Sequence, residues 1–426
     1  MKRSLKAAFW GSAGLLVYTQ LGYPALLAGL DRLRRPRDPD VLPYSDGDLP
    51  DVSLVVAAYN EEPVIADKVG NALALDYPRD RLELIVSVDG ATDATADRAR
   101  AAGADLVLEN PRGGKIRAQD AAVARARGEV VAFSDANATW ERGALRALVA
   151  PFLDPRVGYV CGTVRFTGAD GATNQEDLYW RYEMWIRALE SRLASVTAGN
   201  GAIYATRKDA YIVVDPIMGH DLSLPFKLVK RGWRAVYASA ARATEKMVPT
   251  VEGEFHRKRR MMSHTWPIVV RGGMLSPRGY PPAYAAMMFS HRLLRYCTPL
   301  LHVLALAANV ALVADRVTAL YVTTLSLQAA LLLAALLAGV LAARPLLLSD
   351  AGGFEEIART GAARAVPAGD AQALHAALEE LLGDRAARES MSSKARELAA
   401  GEYAWSTIAR RTLELYGELL QQDVPS

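Results

Sequence analysis

The chain opens on an apolar stretch without a charge, residues 7–30, long enough to cross a bilayer. Short apolar runs then alternate with amphipathic ones. Residues 52–57 (VSLVVA) read as a strand, followed by Ala58-Tyr59-Asn60-Glu61-Glu62. Asn60 there is placed to cap the next helix, with acids in its first turn. Residues 82–88 (LELIVSV) form a second strand, ending in Asp89-Gly90-Ala91-Thr92-Asp93, with a helix over 95–102. Residues 105–109 predict a third strand, 111–115 (PRGGK) a loop and 116–127 an Ala-rich helix. The run 130–133 then ends in Ser134-Asp135-Ala136-Asn137. Wholly apolar runs of this length are strands covered on both faces. Their alternation with helices implies right-handed crossovers and a parallel sheet.

Later the pattern changes twice. Residues 298–314 and 319–343 are apolar and separated by a short loop holding Asp315 and Arg316, which predicts a helical hairpin. From about Pro345 the chain becomes charged and helical. A strand over 346–348 and a Gly352-Gly353 turn lead to helices over 371–382, 384–399 and 403–420.

Composition adds to this picture in three places. Apolar residues make up 51% of the 426, above the roughly 45–50% of soluble domains, and the excess lies in the three long apolar stretches. About three transmembrane helices are therefore expected. A cleaved signal peptide fits the first poorly, because the run is too long and Arg-rich sequence follows it. The net charge of +3 implies no nucleic-acid partner. Arg32, Arg34, Arg35 and Arg37 on one side, and Arg292 and Arg295 on the other, bracket residues 38–290. The positive-inside rule places that region in the cytoplasm, with Lys2, Arg3 and Lys6 competing. The expected organisation is an anchor (1–37), a catalytic domain (38–275), an interfacial segment with the hairpin (276–344) and a small tail (345–426). Cys161 and Cys297 suit neither a disulfide framework nor a zinc site.

Three polar motifs fall at one edge of one sheet, where ligands of open α/β sheets bind. Asp89 can accept hydrogen bonds from a base or sugar, and Lys115 supplies charge for phosphate. Asp135 and Asn137 are hard oxygen ligands suited to Mg²⁺ or Mn²⁺ on a diphosphate. Each has a plainer reading: Asp89 as a helix cap, Lys115 as a loop lysine, Asp-x-Asn as a turn. Neither a P-loop nor a G-x-G-x-x-G is present.

The ordered series AYNEE, VDGATD, GGK…D, FSDAN, then Asn174–Arg192, Gly199-Asn200-Gly201, Gly219-His220-Asp221 and EFHRKRRM at 254–261 resembles the inverting family 2 glycosyltransferases of GT-A fold. It covers roughly residues 8–343, and YTQLGYPALLAGL is similar to the anchor of membrane-bound members. The resemblance implies a mixed α/β sheet flanked by helices. It implies a donor site of Ala58, Tyr59, Glu61, Asp89, Lys115 and Asp135, with Arg257 and Arg260 on the departing diphosphate. A metal would sit at Asp135 and Asn137, an acceptor site at Gly199, Asn200, Gly201 and His220, and the catalytic base at Asp221. The plainer readings are N-capping for Asp221 and binding of anionic lipid headgroups for residues 256–260. The implied reaction moves a sugar, most often UDP-linked, to a lipid-linked or glycan acceptor at a bacterial inner membrane, with polysaccharide-assembly proteins as partners.

Departures qualify the resemblance. Ala91 replaces Ser and Asp120 replaces Asn. His220 replaces an acid and is expected to retune Asp221 through a nearby charge. Met261 stands where processive synthases carry the Trp of Q-x-x-R-W, which favours single-sugar addition. A processive polysaccharide synthase and an inactive membrane scaffold stay open as alternatives. The tail resembles the end of family 4, GT-B glycosyltransferases over about 75 residues. It lacks that fold's donor motif, so it is assigned no catalysis. With only one anionic ligand at Asp135 and Asn137, the ion is expected to arrive with the nucleotide sugar.

Overall fold

A computed structural model describes residues 2–34, 45–167, 176–246, 263, 265–315, 317–341, 346–349, 358–367 and 370–400. Two compact units make up the chain: Ser12–His302, and Met1–Gly11 with Val303–Ser426.

The first unit is built on an eight-stranded mixed sheet. Its strands are β1 (Val52–Ala58), β2 (Leu82–Asp89), β3 (Leu106–Asn110), β4 (Val130–Asp135), β5 (Ala138–Trp140), β6 (Val157–Thr167), β7 (Ile203–Arg207) and β8 (Arg234–Lys246), in the order β3-β2-β1-β4-β7-β6-β8-β5. Period-2 alternation explains the burial on both sides. Leu54, Val56, Leu84, Val86 and Ala132 point into one apolar cluster. Val55, Ile85, Val131 and Phe133 point into the other. The β3-β2-β1-β4 half is parallel, as the alternation requires. The expected mixed sheet arises at β7, which runs antiparallel to β4 and β6. Register brings three strand ends to one edge: Ala57 is opposite Asp135, Ala58 opposite Val88 and Asp89 opposite Asn110.

Helices α3 (Ile65–Leu73), α4 (Thr95–Ala101), α5 (Lys115–Arg125) and α6 (Ala144–Val149) connect these strands. Helix α7 (Glu176–Leu193) and α8 (His220–Lys230) follow β6 and β7. Preceding the sheet, α1 (Lys2–Val17) passes through a π turn, Tyr18–Gly22, into α2 (Tyr23–Leu33).

Among the described residues two helices are long and apolar enough to cross a membrane, Arg3–Leu33 and Thr298–Asp315. The third expected span is a helix over Ala319–Leu341, in which the described apolar part, Ala319–Ala334, is shorter. Within the second unit, Phe9 meets the Tyr321 ring edge-on at 5.7 Å and shares a small core with Ala308 and Leu312. The tail holds a parallel pair, β9 (Leu346–Ser349) with β10 (Ala363–Val366), and helices Ala371–Gly383 and Arg385–Ala400. Asp370 caps the first of these, accepting from the N–H groups of Gln372 and Ala373. The expected helix over 403–420 lies outside the described residues.

Candidate active site

The loops after β1, β2 and β3 are sewn to one another. Asn60 adopts φ of +53° and its Oδ1 accepts from the Thr92 N–H at 2.9 Å. It therefore clasps two loops rather than capping α3, which starts at Ile65, so the capping expectation is corrected. Asp93, not Asp89, serves the start of α4, accepting from Thr95 N–H at 3.1 Å. The Asp89 carboxylate is buried and accepts from the N–H groups of Gly113 (2.7 Å) and Gly114 (2.9 Å) and from the Arg112 guanidinium. Gly90 is required here. Its φ is +62° and a Cβ would lie 2.7 Å from Arg112 N. The Arg112 guanidinium lies 3.5 Å above the half-exposed Tyr59 ring, close enough for a cation–π contact. Tyr59 and Arg112 thus offer a flat, exposed surface beside Asp89, while Ala58 is buried at the end of β1.

Lys115 opens α5 and its ammonium pairs with Asp135 at the end of β4. Partial loss of solvent works to lower the Lys115 pKa. Asp135 first, then Asp221 and Glu245, outweigh that and hold it raised. One half-exposed lysine therefore gathers carboxylates from three separate elements. Glu61 shares the corner: burial, Asp135 and Asp93 raise its pKa. Gly201 borders it as well, since a Cβ there would lie 3.4 Å from Lys115 Nζ and 3.9 Å from Asp135 Oδ2. Asn137 is exposed just beyond Asp135. Asp135 and Asn137 fit a divalent cation as an open pair of oxygen donors. Among the described residues no group of three His, Cys, Asp or Glu could hold a metal alone. A bound nucleotide's oxygens would complete the shell.

Asp221 lies in the first turn of α8. Its backbone carbonyl accepts from Gly199 N–H at 2.7 Å, which joins the start of α8 to the 199–201 segment. The Asn200 side chain spans Gly162 O (2.6 Å) and Ile203 N–H (2.9 Å). His220 does not line an open acceptor site. It is 3% exposed, with its ring nitrogens 2.8 Å from Tyr204 Oη and 3.3 Å from Tyr211 Oη. Burial, helped by Lys115, lowers its pKa to about 3. A neutral imidazole carries no charge with which to tune Asp221, so that expectation is corrected. Asp120 accepts from Tyr211 Oη at 2.6 Å, extending the same buried network. Arg257 and Arg260 lie outside the described residues.

Sequence reasoning missed Arg112, Glu245 and Lys68. Arg112 stood in the quoted PRGGK loop and was legible there as a second cation. Glu245 pairs in register with Ala138, one residue past Asn137, a neighbour more than a hundred residues away in sequence. Lys68 on α3 is 4% exposed and donates to Ala138 O at 2.6 Å.

Comparison with known proteins agrees with this geometry. A family model described as "Glycosyltransferase like family 2" matches residues 50–263. A beta-monoglucosyldiacylglycerol synthase of Synechocystis sp. is 30% identical over 252 residues, 56% of this chain and 50% of that protein. A poly-beta-1,6-N-acetyl-D-glucosamine synthase of Staphylococcus aureus is 26% identical over 206 residues, 46% of this chain and 49% of that protein. The chain thus spans about half the length of these relatives. Among solved structures, a mannosyltransferase from Pyrobaculum calidifontis in complex with GDP-Man and Mn²⁺ matches with a TM-score of 0.59 at 25% identity. That match covers 78% of this chain and 91% of the other. The mixed sheet flanked by helices is accordingly a GT-A fold, and the chain belongs to the family 2 glycosyltransferases.

Proposed function

We propose that this chain is a membrane-anchored, inverting glycosyltransferase. It moves a sugar from a nucleoside-diphosphate donor, UDP-linked, to a lipid-linked or membrane-proximal acceptor in glycolipid or envelope-polysaccharide synthesis. The observation that carries the reading is the Lys115–Asp135 ion pair bordered by Gly201, with Gly199 of the same segment donating to the Asp221 carbonyl. It supports a reading in which a phosphate-binding charge, a metal-ligand motif and a base share one sheet edge. The exposed Tyr59 ring and Arg112 supply a stacking surface for the donor's base. Lys115 balances diphosphate charge. A divalent ion held by Asp135 and Asn137 would act as a Lewis acid toward the leaving diphosphate. Asp221 takes the proton of the acceptor hydroxyl as it attacks the anomeric carbon from the opposite face.

Membrane anchoring rests on the helices Arg3–Leu33 and Thr298–Asp315, with Ala319–Leu341 as a third span. Leu15, Leu21, Leu26, Leu300, Val303, Leu327 and Leu331 are exposed along them, as side chains facing lipid would be. Orientation follows the Arg residues bracketing the sheet domain, which puts the site in the cytoplasm. The tail, similar in sequence to the end of a GT-B fold, takes no part in catalysis.

The test is a donor screen with the purified chain in lipid vesicles, reading UDP and GDP release and the labelled lipid product. Release from a UDP-sugar, raised by lipid acceptor and abolished by EDTA, is expected. Absence of release from every donor overturns the reading. Long polymer products establish a processive synthase, a reading the Staphylococcus relative favours, and overturn single addition.

A further inference from the structure

Glu190, on α7, is fully buried and serves three separate elements. Its Oε1 accepts from Tyr23 Oη on the anchor helix at 2.6 Å and from His291 Nδ1 at 2.8 Å. Its Oε2 accepts from the Thr197 hydroxyl at 2.9 Å and the Thr197 N–H at 3.2 Å. The Thr197 hydroxyl in turn accepts from Arg292 Nε at 2.9 Å. His291 also faces Glu183 at 3.4 Å, and Arg295 pairs with Glu183. Two residues past Thr197, Gly199 is gripped from both sides. Its carbonyl accepts from Arg187 at 3.1 Å, and its N–H donates to Asp221 O. A buried carboxylate is retained at the expense of desolvation, and an apolar side chain would fill this helix position without that expense. What the carboxylate alone supplies is the simultaneous grip on Tyr23, Thr197 and His291.

We propose that Glu190 is a positioning residue for transfer. Its carboxylate fixes residues 197–201, and through Gly199 the backbone of Asp221, to the anchor helix at Tyr23 and to the segment holding His291. Seating of the anchor thereby sets the acceptor side of the site. This rests on the reading of Asp221 and residues 199–201 given above. In Glu190→Gln one oxygen becomes an amide donor, so one pair of hydrogen bonds is lost and two donors face each other.

The experiment uses the full chain in lipid nanodiscs, comparing wild type, Glu190→Gln, Glu190→Asp and Thr197→Val. Amide exchange is expected to rise in peptides covering 195–203 and stay unchanged in those covering 82–89 and 130–137. The acceptor kcat/KM is expected to fall by about tenfold or more with the donor KM within about twofold. Glu190→Asp, which keeps the charge, regains part of the loss. Thr197→Val, which removes one hydroxyl, shows the same exchange pattern at smaller size. A uniform rise in exchange, an equal loss of donor affinity, or no change at 195–203 overturns the proposal. If wild type transfers no sugar, the exchange pattern still decides the role of Glu190, and the function reading falls separately.

Discussion

Replacing Lys68 by Met should stabilise the protein and impair it. Lys68 is 4% exposed, donates to Ala138 O at 2.6 Å and stands 5.3 Å from the centre of the Trp140 ring. Burial lowers its pKa from 10.5 to about 7, against the opposing pull of Asp135 and Glu245. That difference weighs about 5 kcal/mol against the charged form in the folded state. The unfolded chain binds the proton up to about 10.5 and the folded chain only up to about 7. Stability from this group therefore rises with pH across that window, and the full penalty is present below it. Methionine has similar length and no charge. Its gain near pH 6 is offset by the lost hydrogen bond, about 1–2 kcal/mol. A net gain of about 3–4 kcal/mol remains, on the order of 10 °C in Tm. Near pH 10 the penalty is largely gone and the variant should be equal to or less stable than wild type. Thermal melts of both proteins at the two pH values test this. A variant that melts lower near pH 6, or a Tm difference independent of pH, refutes the reasoning. Transfer activity should fall in the variant, because Lys68 holds the strand that follows the Asp135 corner.

Other perturbations separate space from fold. Gly201→Ala places a methyl 3.4 Å from Lys115 Nζ; it should leave Tm unchanged and raise the donor KM. Gly199→Ala would put Cβ 2.0 Å from Tyr159 Oη; it should lower stability by about 1–3 kcal/mol, read as a drop in Tm. Asp89→Asn weakens the grip on the Gly113 and Gly114 amides and should cost about 1–3 kcal/mol, with a weaker donor complex by calorimetry. His220 is neutral above about 3, so its unfolded-state proton uptake makes the fold lose stability as pH falls from about 6.5 toward 3. His220→Gln should flatten that acid limb in melts and leave the pH–rate profile between about pH 5 and 8 unchanged.

Much of the first half of the sheet was legible because its strands carry local signals. The runs at 52, 82 and 130 are apolar on both faces, and each strand starts where the run starts. The ends of those strands place Asp89 and Asp135 at one edge from the sequence pattern alone. The antiparallel β7 was not legible, since its pairing with β4 is set by tertiary contact across about seventy residues. Buried charges were hidden for a similar reason. Lys68 and Glu190 sit on amphipathic helices, where a charged residue reads as solvent-facing. Their partners, Ala138 and Tyr23, are remote in sequence. His220 was visible as a departure from pattern, but its neutrality follows from burial between Tyr204 and Tyr211, which no local motif encodes. Trp180 donates its indole N–H to Val164 O at 2.6 Å and touches both cores, contacts likewise set by tertiary structure.

The central claim is that Asp221 and the Lys115–Asp135 corner form one transfer site. The most direct measurement compares single-turnover transfer by wild type and Asp221→Asn with the same Mn²⁺–UDP-sugar, alongside calorimetric donor binding. A general base supplies about 10²–10⁴-fold. Transfer is expected to fall by that factor while donor affinity stays within about twofold. Transfer retained within about threefold of wild type, with donor binding intact, would contradict the assignment.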